Sequence, residues 1–180
     1  MPESATRSTT IHVCGVNALA DTARKVKATH VMTLIRDHGP VETPKGIKSA
    51  NHLRIDINDI TEPADGLVHP QEMHVAELIR FARLWDHRAP MVVHCYAGIS
   101  RSTAAAFTTL CLLNPHVSEK LIARRLRRSS PTATPNKLIV RIADDILGRE
   151  GRMVDAISAI GQGEPAYEAV PFSLDSRQRA

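Results

Sequence analysis

The chain has 180 residues, of which 43% are hydrophobic and only 3% aromatic, with a formal net charge of +4 and a pI near 9.2. That is enough chain for one domain with a sizeable aliphatic core; it excludes a disordered polymer and an aromatic platform for single-stranded nucleic acid. The positive balance suits an anionic partner without choosing between phosphorylated protein, lipid head group and nucleic acid. In chain order, residues 1–10 are polar and read as a flexible lead. Residues 11–16 alternate as a short strand, and Asp21 to Lys27 make a helical turn or two. Val31 to Ile35 is an apolar run, a central strand buried on both faces. Asp37 to Lys48 holds two prolines and two glycines and reads as a loop. His52 to Asn58 alternates, with Leu53, Ile55 and Ile57 on one face. Pro70 suits the first turn of a helix whose buried face is Val75, Leu78, Ile79, Ala82 and Trp85.

Met91 to Val93 is a short buried strand, and Arg101 to Leu113 is apolar all round, as a central helix would be. Ser118 opens a helix to Arg128, Asn136 to Leu147 forms another that stops at Gly148, and Met153 to Ile160 is a last short one. Gly161 to Ala180 reads as a poorly ordered or wrapping tail. Strands interleaved with helices, then a helical C-terminal half, predict a single-domain α/β fold with a mostly parallel central sheet. Three sparse cysteines show neither a disulfide framework nor a metal pattern, which favours a reducing compartment. No basic-then-apolar leader and no run of eighteen apolar residues occurs, so the expectation is a cytoplasmic chain without an integral membrane segment.

The chemistry concentrates between the strand at Met91–Val93 and the helix from Arg101. A strand, a tight loop and a helix aim backbone N–H groups at one point before the helix N-terminus. Residues Tyr96 to Arg101 supply those groups, with Gly98 relieving the backbone where the loop curls. Arg101 can grip two phosphate oxygens at once. A helix N-terminus and an adjacent cation favour the thiolate of Cys95, a nucleophile for covalent catalysis at phosphorus. Ser102 can donate a hydroxyl hydrogen bond to that sulfur, and His94 braces the loop rather than titrating in the reaction.

His94-Cys95-Tyr96-Ala97-Gly98-Ile99-Ser100-Arg101-Ser102 matches His-Cys-x-x-Gly-x-x-Arg-Ser. On that motif the chain resembles the protein tyrosine phosphatase superfamily, and its compact layout is similar to the dual-specificity branch. The likeness runs from about Ile11 to Leu147 and includes Ser130 to Asn136, similar to the Pro-Asn element that opens the family's last core helix. It implies a four- or five-stranded sheet with the loop at its centre, two-step hydrolysis through a cysteinyl-phosphate, and no metal or other cofactor. The catalytic residues it implies are Cys95, Arg101 and Ser102, with His94, Tyr96, Ala97, Gly98, Ile99 and Ser100 around the phosphate. The phosphatase domain would span residues 11–148, with residues 149–180 a short helix and a tail packed on it or extending from it.

Such an enzyme needs a carboxylic acid to protonate the departing oxygen. Asp56, Asp59, Glu62 and Asp65 lie upstream. Asp56 alternates with Ile55 and Ile57 and should face solvent. Asp59 stands where the strand ends, as the acid does in the dual-specificity branch, and is favoured over Asp65, whose spacing to Cys95 is also compatible and whose alternative reading is a turn pair with Gly66. No Trp-Pro-Asp triplet decides the matter.

Other features are less specific. Arg124, Arg127 and Arg128 share a helical face, either a solvated surface or a rim for an acidic substrate or a lipid surface. The histidines other than His94 are scattered without metal-ligand spacing. Cys14 and Cys111 read as core residues, with a Cys14–Cys95 disulfide under oxidation as the alternative for Cys14. The expected partner is a phosphorylated substrate, a phosphotyrosine protein before a dual-specificity or non-protein phosphomonoester, and not nucleic acid. A rhodanese-like sulfurtransferase and a phosphate-binding module without turnover are the competing classes.

Overall fold

A computed structural model describes residues 9–180. The flexible lead expected over residues 1–10 falls, apart from Thr9 and Thr10, outside the described residues. The elements are β1 (Thr10–Gly15), α1 (Leu19–Val26), β2 (His30–Leu34), β3 (His52–Ile55), α2 (Glu72–Leu84), β4 (Met91–Cys95), α3 (Arg101–Leu113), α4 (Glu119–Ser129), α5 (Lys137–Leu147), α6 (Arg152–Ile160) and β5 (Phe172–Asp175). Five strands form one sheet in the order β3-β2-β4-β1-β5. The first four run parallel, and β5 pairs antiparallel with β1, Leu174 opposite Ile11.

The two faces of the sheet are covered unequally. Ile11, Val13, Met32, Leu34, Leu53, Ile55, Met91 and Val93 belong to the main core with the residues of α2 to α6. The opposite parity, Cys14, Val31 and Val92, meets Leu19 and Ala23 of α1 with Val41 and Ile47 of the loop after β2. β2 and β4 are buried along their whole length, as continuous apolar runs in a parallel sheet require. Helix α3 is buried from Arg101 to Cys111, and its small Ala104-Ala105-Ala106 run lets it lie close beneath the strands. Val75, Leu78, Ile79, Ala82 and Trp85 are all buried, the face that helical spacing predicts.

Several boundaries shift for local reasons. β3 ends at Ile55 rather than Asn58, although the alternation persists: Ile57 is buried and Asp56 exposed. α2 begins at Glu72, because Gln71 takes the N-cap position and its N–H donates to His74 Nδ1; Pro70 lies one residue further out. β4 continues to Cys95. Asn136 caps α5, its Oδ1 accepting from the N–H groups of Leu138 and Ile139.

Of the two forms expected for the tail, the structure has the wrapping one, packed on the domain. Residues 161–171 run past the 131–134 backbone, the loop after β4 and the end of β1, β5 adds an edge to the sheet, and Asn114 clamps the last turn by donating to Ser176 O and accepting from Gln178 N. Among the described residues no helix is long and apolar enough to cross a membrane.

Candidate active site

Parallel strands deliver their C-terminal ends to one edge of a sheet, and the connecting segments meet there. After β2 come Asp37 and His38; after β3 come Ile57, Asn58 and Asp59; after β4 come Tyr96 to Ser100. Thr134 to Asn136, leading into α5, closes the ring.

The loop after β4 is shaped from outside. Cys95 O accepts from His94 Nδ1 at 3.2 Å, Tyr96 O from Val16 N at 3.0 Å, and Ala97 O from Ala169 N at 2.9 Å. Ile99 O accepts from Thr134 N at 2.9 Å, and Ser100 O from Asn136 N at 3.2 Å. In a planar trans peptide the C=O and the following N–H point in opposite directions. Carbonyls drawn outward therefore turn the N–H groups of Tyr96, Ala97, Gly98, Ser100 and Arg101 inward, toward the N-terminus of α3. Such an arrangement can receive an anion. Gly98 is required twice over. Its φ is +74°, and a Cβ would lie 2.7 Å from the backbone carbon of Cys14.

Cys95 and Arg101 flank this centre. Cys95 Sγ lies 3.1 Å from Ser102 Oγ. Arg101 is 3% exposed. Its Nη1 donates to Ile57 O and to Asp37 Oδ1, both at 2.8 Å, while Nη2 stands 3.5 Å from Asp37 Oδ2. Its Nε is buried and has no partner among the described residues. The guanidinium is thus anchored through Nη1, and the edge formed by Nε and Nη2 keeps donors for a bidentate anion. Burial alone would raise the Asp37 carboxyl, but the Arg101 hydrogen bond and charge, with nearby backbone N–H groups, hold it below the usual range. Sequence reasoning missed Asp37. It lies 64 positions before Arg101, in a loop where an aspartate draws no notice.

Of the four upstream acids, the structure brings one to the loop. Asp59 Oδ1 accepts from Ser100 Oγ at 2.7 Å and from Asn136 Nδ2 at 2.9 Å, and the residue is exposed at the rim. Asp56 faces away and pairs with Arg36. Asp65 and Gly66 form an exposed turn, Gly66 having φ +75°. Glu62 is exposed as well. Tyr96 is half exposed, and the His38 ring stands edge-on to it with centroids 6.2 Å apart, which gives the mouth an aromatic wall.

Behind the loop runs a buried polar chain. Thr33 and His94 are register partners on β2 and β4. Thr33 Oγ1 lies 2.7 Å from both His94 Nε2 and His52 Nε2; His52 Nδ1 lies 2.9 Å from Thr43 Oγ1, which accepts from Arg54 Nη2 at 2.8 Å. With both imidazoles neutral, the Cys95 carbonyl, which only accepts, and the single proton of each threonine hydroxyl set the direction of this chain. Thr43 therefore donates to His52 Nδ1, His52 Nε2–H to Thr33, Thr33 to His94 Nε2, and His94 Nδ1–H to Cys95 O. Each link requires a neutral imidazole. Burial, the largest influence, pushes both His94 and His52 down to about 4.

The remaining predicted features separate. Cys14 points into the small cluster on the α1 face, and burial pushes its thiol up to about 12; all three cysteines are free. Of the arginine cluster, Arg127 does not lie on an open basic face. It is partly buried and donates to the carbonyls of Ala133, Ile160 and Gly161, closing the C-terminus of α6. Arg125 binds Gln178. Arg124 and Arg128 are exposed.

The Protein-tyrosine phosphatase family model matches residues 13–132, two thirds of the chain. Among solved structures, that of DUSP15 is 20% identical, with a TM-score of 0.59, over 83% of this chain and 90% of that one. The Yvh1 phosphatase domain from Chaetomium thermophilum is 23% identical, with a TM-score of 0.53, over 79% and 93%. The human tyrosine phosphatase-like serine/threonine/tyrosine-interacting protein is 16% identical, with a TM-score of 0.59, over 78% and 92%. No curated protein sequence gives a significant match.

Proposed function

The chain belongs to the protein-tyrosine phosphatase family, and from that premise we propose that it hydrolyses phosphotyrosine in protein substrates in two steps, through a cysteinyl-phosphate on Cys95. The inward N–H groups and the Nε–Nη2 edge of Arg101 hold the three non-bridging phosphate oxygens. Cys95 Sγ attacks phosphorus in line with the ester oxygen. The P–O bond breaks as the S–P bond forms, and the Asp59 carboxyl gives its proton to the departing phenol oxygen. In the second step water attacks phosphorus, Asp59 carboxylate takes its proton, and the S–P bond breaks to release inorganic phosphate. The Ser102 hydroxyl donates to the departing sulfur. Charge spread over the phosphoryl oxygens meets donors already aimed at it, so little reorganisation is needed at the moment of reaction.

The observation that carries this reading is the arrangement itself: loop carbonyls held outward around a sulfur and a buried guanidinium whose Nε has no partner among the described residues. The aromatic wall of Tyr96 and His38, and a loop interior without lysine, favour one phosphate on an aromatic ring over a polyphosphorylated lipid. Steady-state assays separate the classes. Turnover of p-nitrophenyl phosphate and of phosphotyrosine peptides, lost in Cys95→Ser, is the expected result. Equal rates on phosphoserine peptides would replace tyrosine specificity with dual specificity, and activity only on thiosulfate with cyanide would make the chain a sulfurtransferase.

A further inference from the structure

We propose that the C-terminal segment, residues 161–175, supports the phosphate-binding loop at one direct point, Ala169, a positioning residue acting through its backbone N–H. The proposal rests on the loop binding phosphate. Each loop carbonyl described above is held by a donor from residues 9–136, with one exception: Ala97 O is held by Ala169 N, at 2.9 Å. The N–H of the same peptide unit belongs to Gly98, the residue with positive φ at the tightest point of the curl. Without Ala169, that unit has lost the donor that turns its N–H toward the phosphate oxygens. The segment lies beyond the residues matched by the family model.

The segment is held firmly enough to do this. Before Ala169, Gly163 N donates to Thr134 Oγ1 at 3.0 Å and Glu164 N to Pro131 O at 2.9 Å. Gly163 lies so close to the 131–132 backbone that a Cβ would stand 2.6 Å from the Thr132 carbonyl carbon. After Ala169, β5 pairs with β1, and Ser176 N donates to Thr9 O at 2.8 Å. Beside it, Glu168 lies over Gly15, where a Cβ would meet Glu168 Oε1 at 2.5 Å. Gly15 thus permits the strand end, the loop and the segment to stack. A second, indirect connection runs the same way: the 131–134 backbone that Gly163 and Glu164 grip also supplies Thr134 N to Ile99 O. The segment reaches two loop carbonyls, one directly and one through a single intermediary.

Ala169 is near enough to the C-terminus for semisynthesis with residue 169 as L-lactate, an ester that deletes this N–H and keeps the methyl and the planar linkage. Ala169→Pro is the genetic counterpart, and Tyr167→Ala, at a fully exposed side chain on the same segment, is the control. Dissociation constants for inorganic vanadate and phosphate are measured by calorimetry, with p-nitrophenyl phosphate kinetics alongside. Loss of one hydrogen bond predicts two- to twelve-fold weaker vanadate binding, on the order of its usual net worth, with a parallel fall in kcat/KM, in the ester and in Ala169→Pro but not in Tyr167→Ala. A purely structural role would lower the binding-competent fraction and leave the vanadate dissociation constant unchanged; that result, or an ester with native affinity, overturns the proposal. Failure of the native protein to bind vanadate would instead overturn the phosphatase reading.

Discussion

Replacing Thr33 with valine removes one oxygen and strands two histidine nitrogens. Valine has nearly the shape of threonine, so packing between β2 and β4 is preserved and the effect is electrostatic. His94 Nε2 loses the hydroxyl that donates to it and His52 Nε2–H loses the oxygen that accepts it, both formerly at 2.7 Å. His94 is 0% exposed and His52 7%, so water replaces neither bond well. An unpaired buried polar group costs about 1–3 kcal/mol. Two of them predict a loss of about 3 kcal/mol, which for a chain of this size lowers Tm by about 6–12 °C. Function suffers separately. His94 is no longer held in the tautomer that donates from Nδ1 to Cys95 O, and the Tyr96 N–H behind that carbonyl loses its aim. We expect kcat/KM on p-nitrophenyl phosphate to fall about tenfold, as for one hydrogen bond at the upper end of its usual worth. Thr33→Ser keeps the oxygen and should lose only about 1 kcal/mol, for a missing methyl, with near-native kcat/KM. Thermal and urea unfolding with steady-state kinetics on both variants decide the matter. A valine variant as stable and as active as the serine variant would refute the directed chain.

The same histidines predict a pH dependence. A neutral imidazole with a folded value near 4 and an ordinary value of 6.5 takes up a proton on unfolding anywhere between the two. Stability is therefore complete above pH 6.5 and falls as pH drops toward 4, by at most about 1.4 kcal/mol per pH unit for each histidine. His12, His30, His74 and His87 shift in the same direction and add to the slope; equal urea midpoints at pH 7.5 and 5 would contradict this. Asp59→Asn should lower turnover of an alkyl phosphate by about 10²–10⁴ and that of p-nitrophenyl phosphate far less, since nitrophenolate leaves without a proton. The same pattern in Asp65→Asn instead would move the acid to that turn. Asp37→Asn keeps the shape but removes the charge facing Arg101, so kcat/KM should fall about fivefold, in line with about 1 kcal/mol between charged and neutral hydrogen bonds; an unchanged KM for p-nitrophenyl phosphate would show that Arg101 is positioned without it.

Legibility in the sequence followed the range of the forces involved. The Cys95–Ser102 motif, the buried run of β2, the apolar stripe of α2 and the stop of α5 at Gly148 are local patterns, and each stands where its spacing placed it. Asp59 was legible because the strand before it ends within a few residues. Asp37, Thr33 and Ala169 were not, because each meets the site only through tertiary contact. Thr33 did carry a faint signal, as the polar residue in the middle of Val31 to Ile35. Ala169 could carry none: it contributes a backbone N–H, which every residue except proline has. β5 is four residues long and half exposed, too short and too polar to read as a strand, and its existence depends on the free edge of β1. The arginine cluster misled for a related reason. Helical spacing groups Arg124, Arg127 and Arg128, but not the open carbonyls of α6 that draw Arg127 inward.

The covalent intermediate is the claim on which the rest depends. Rapid mixing of the protein with excess p-nitrophenyl phosphate, acid quench and peptide mass spectrometry tests it directly. The account predicts one phosphoryl group on the peptide containing Cys95, absent from Cys95→Ser, and a burst of nitrophenolate equal to the enzyme concentration wherever the second step is slower. Turnover with no phosphoryl-cysteine at any quench time, or with the label on another residue, would contradict it.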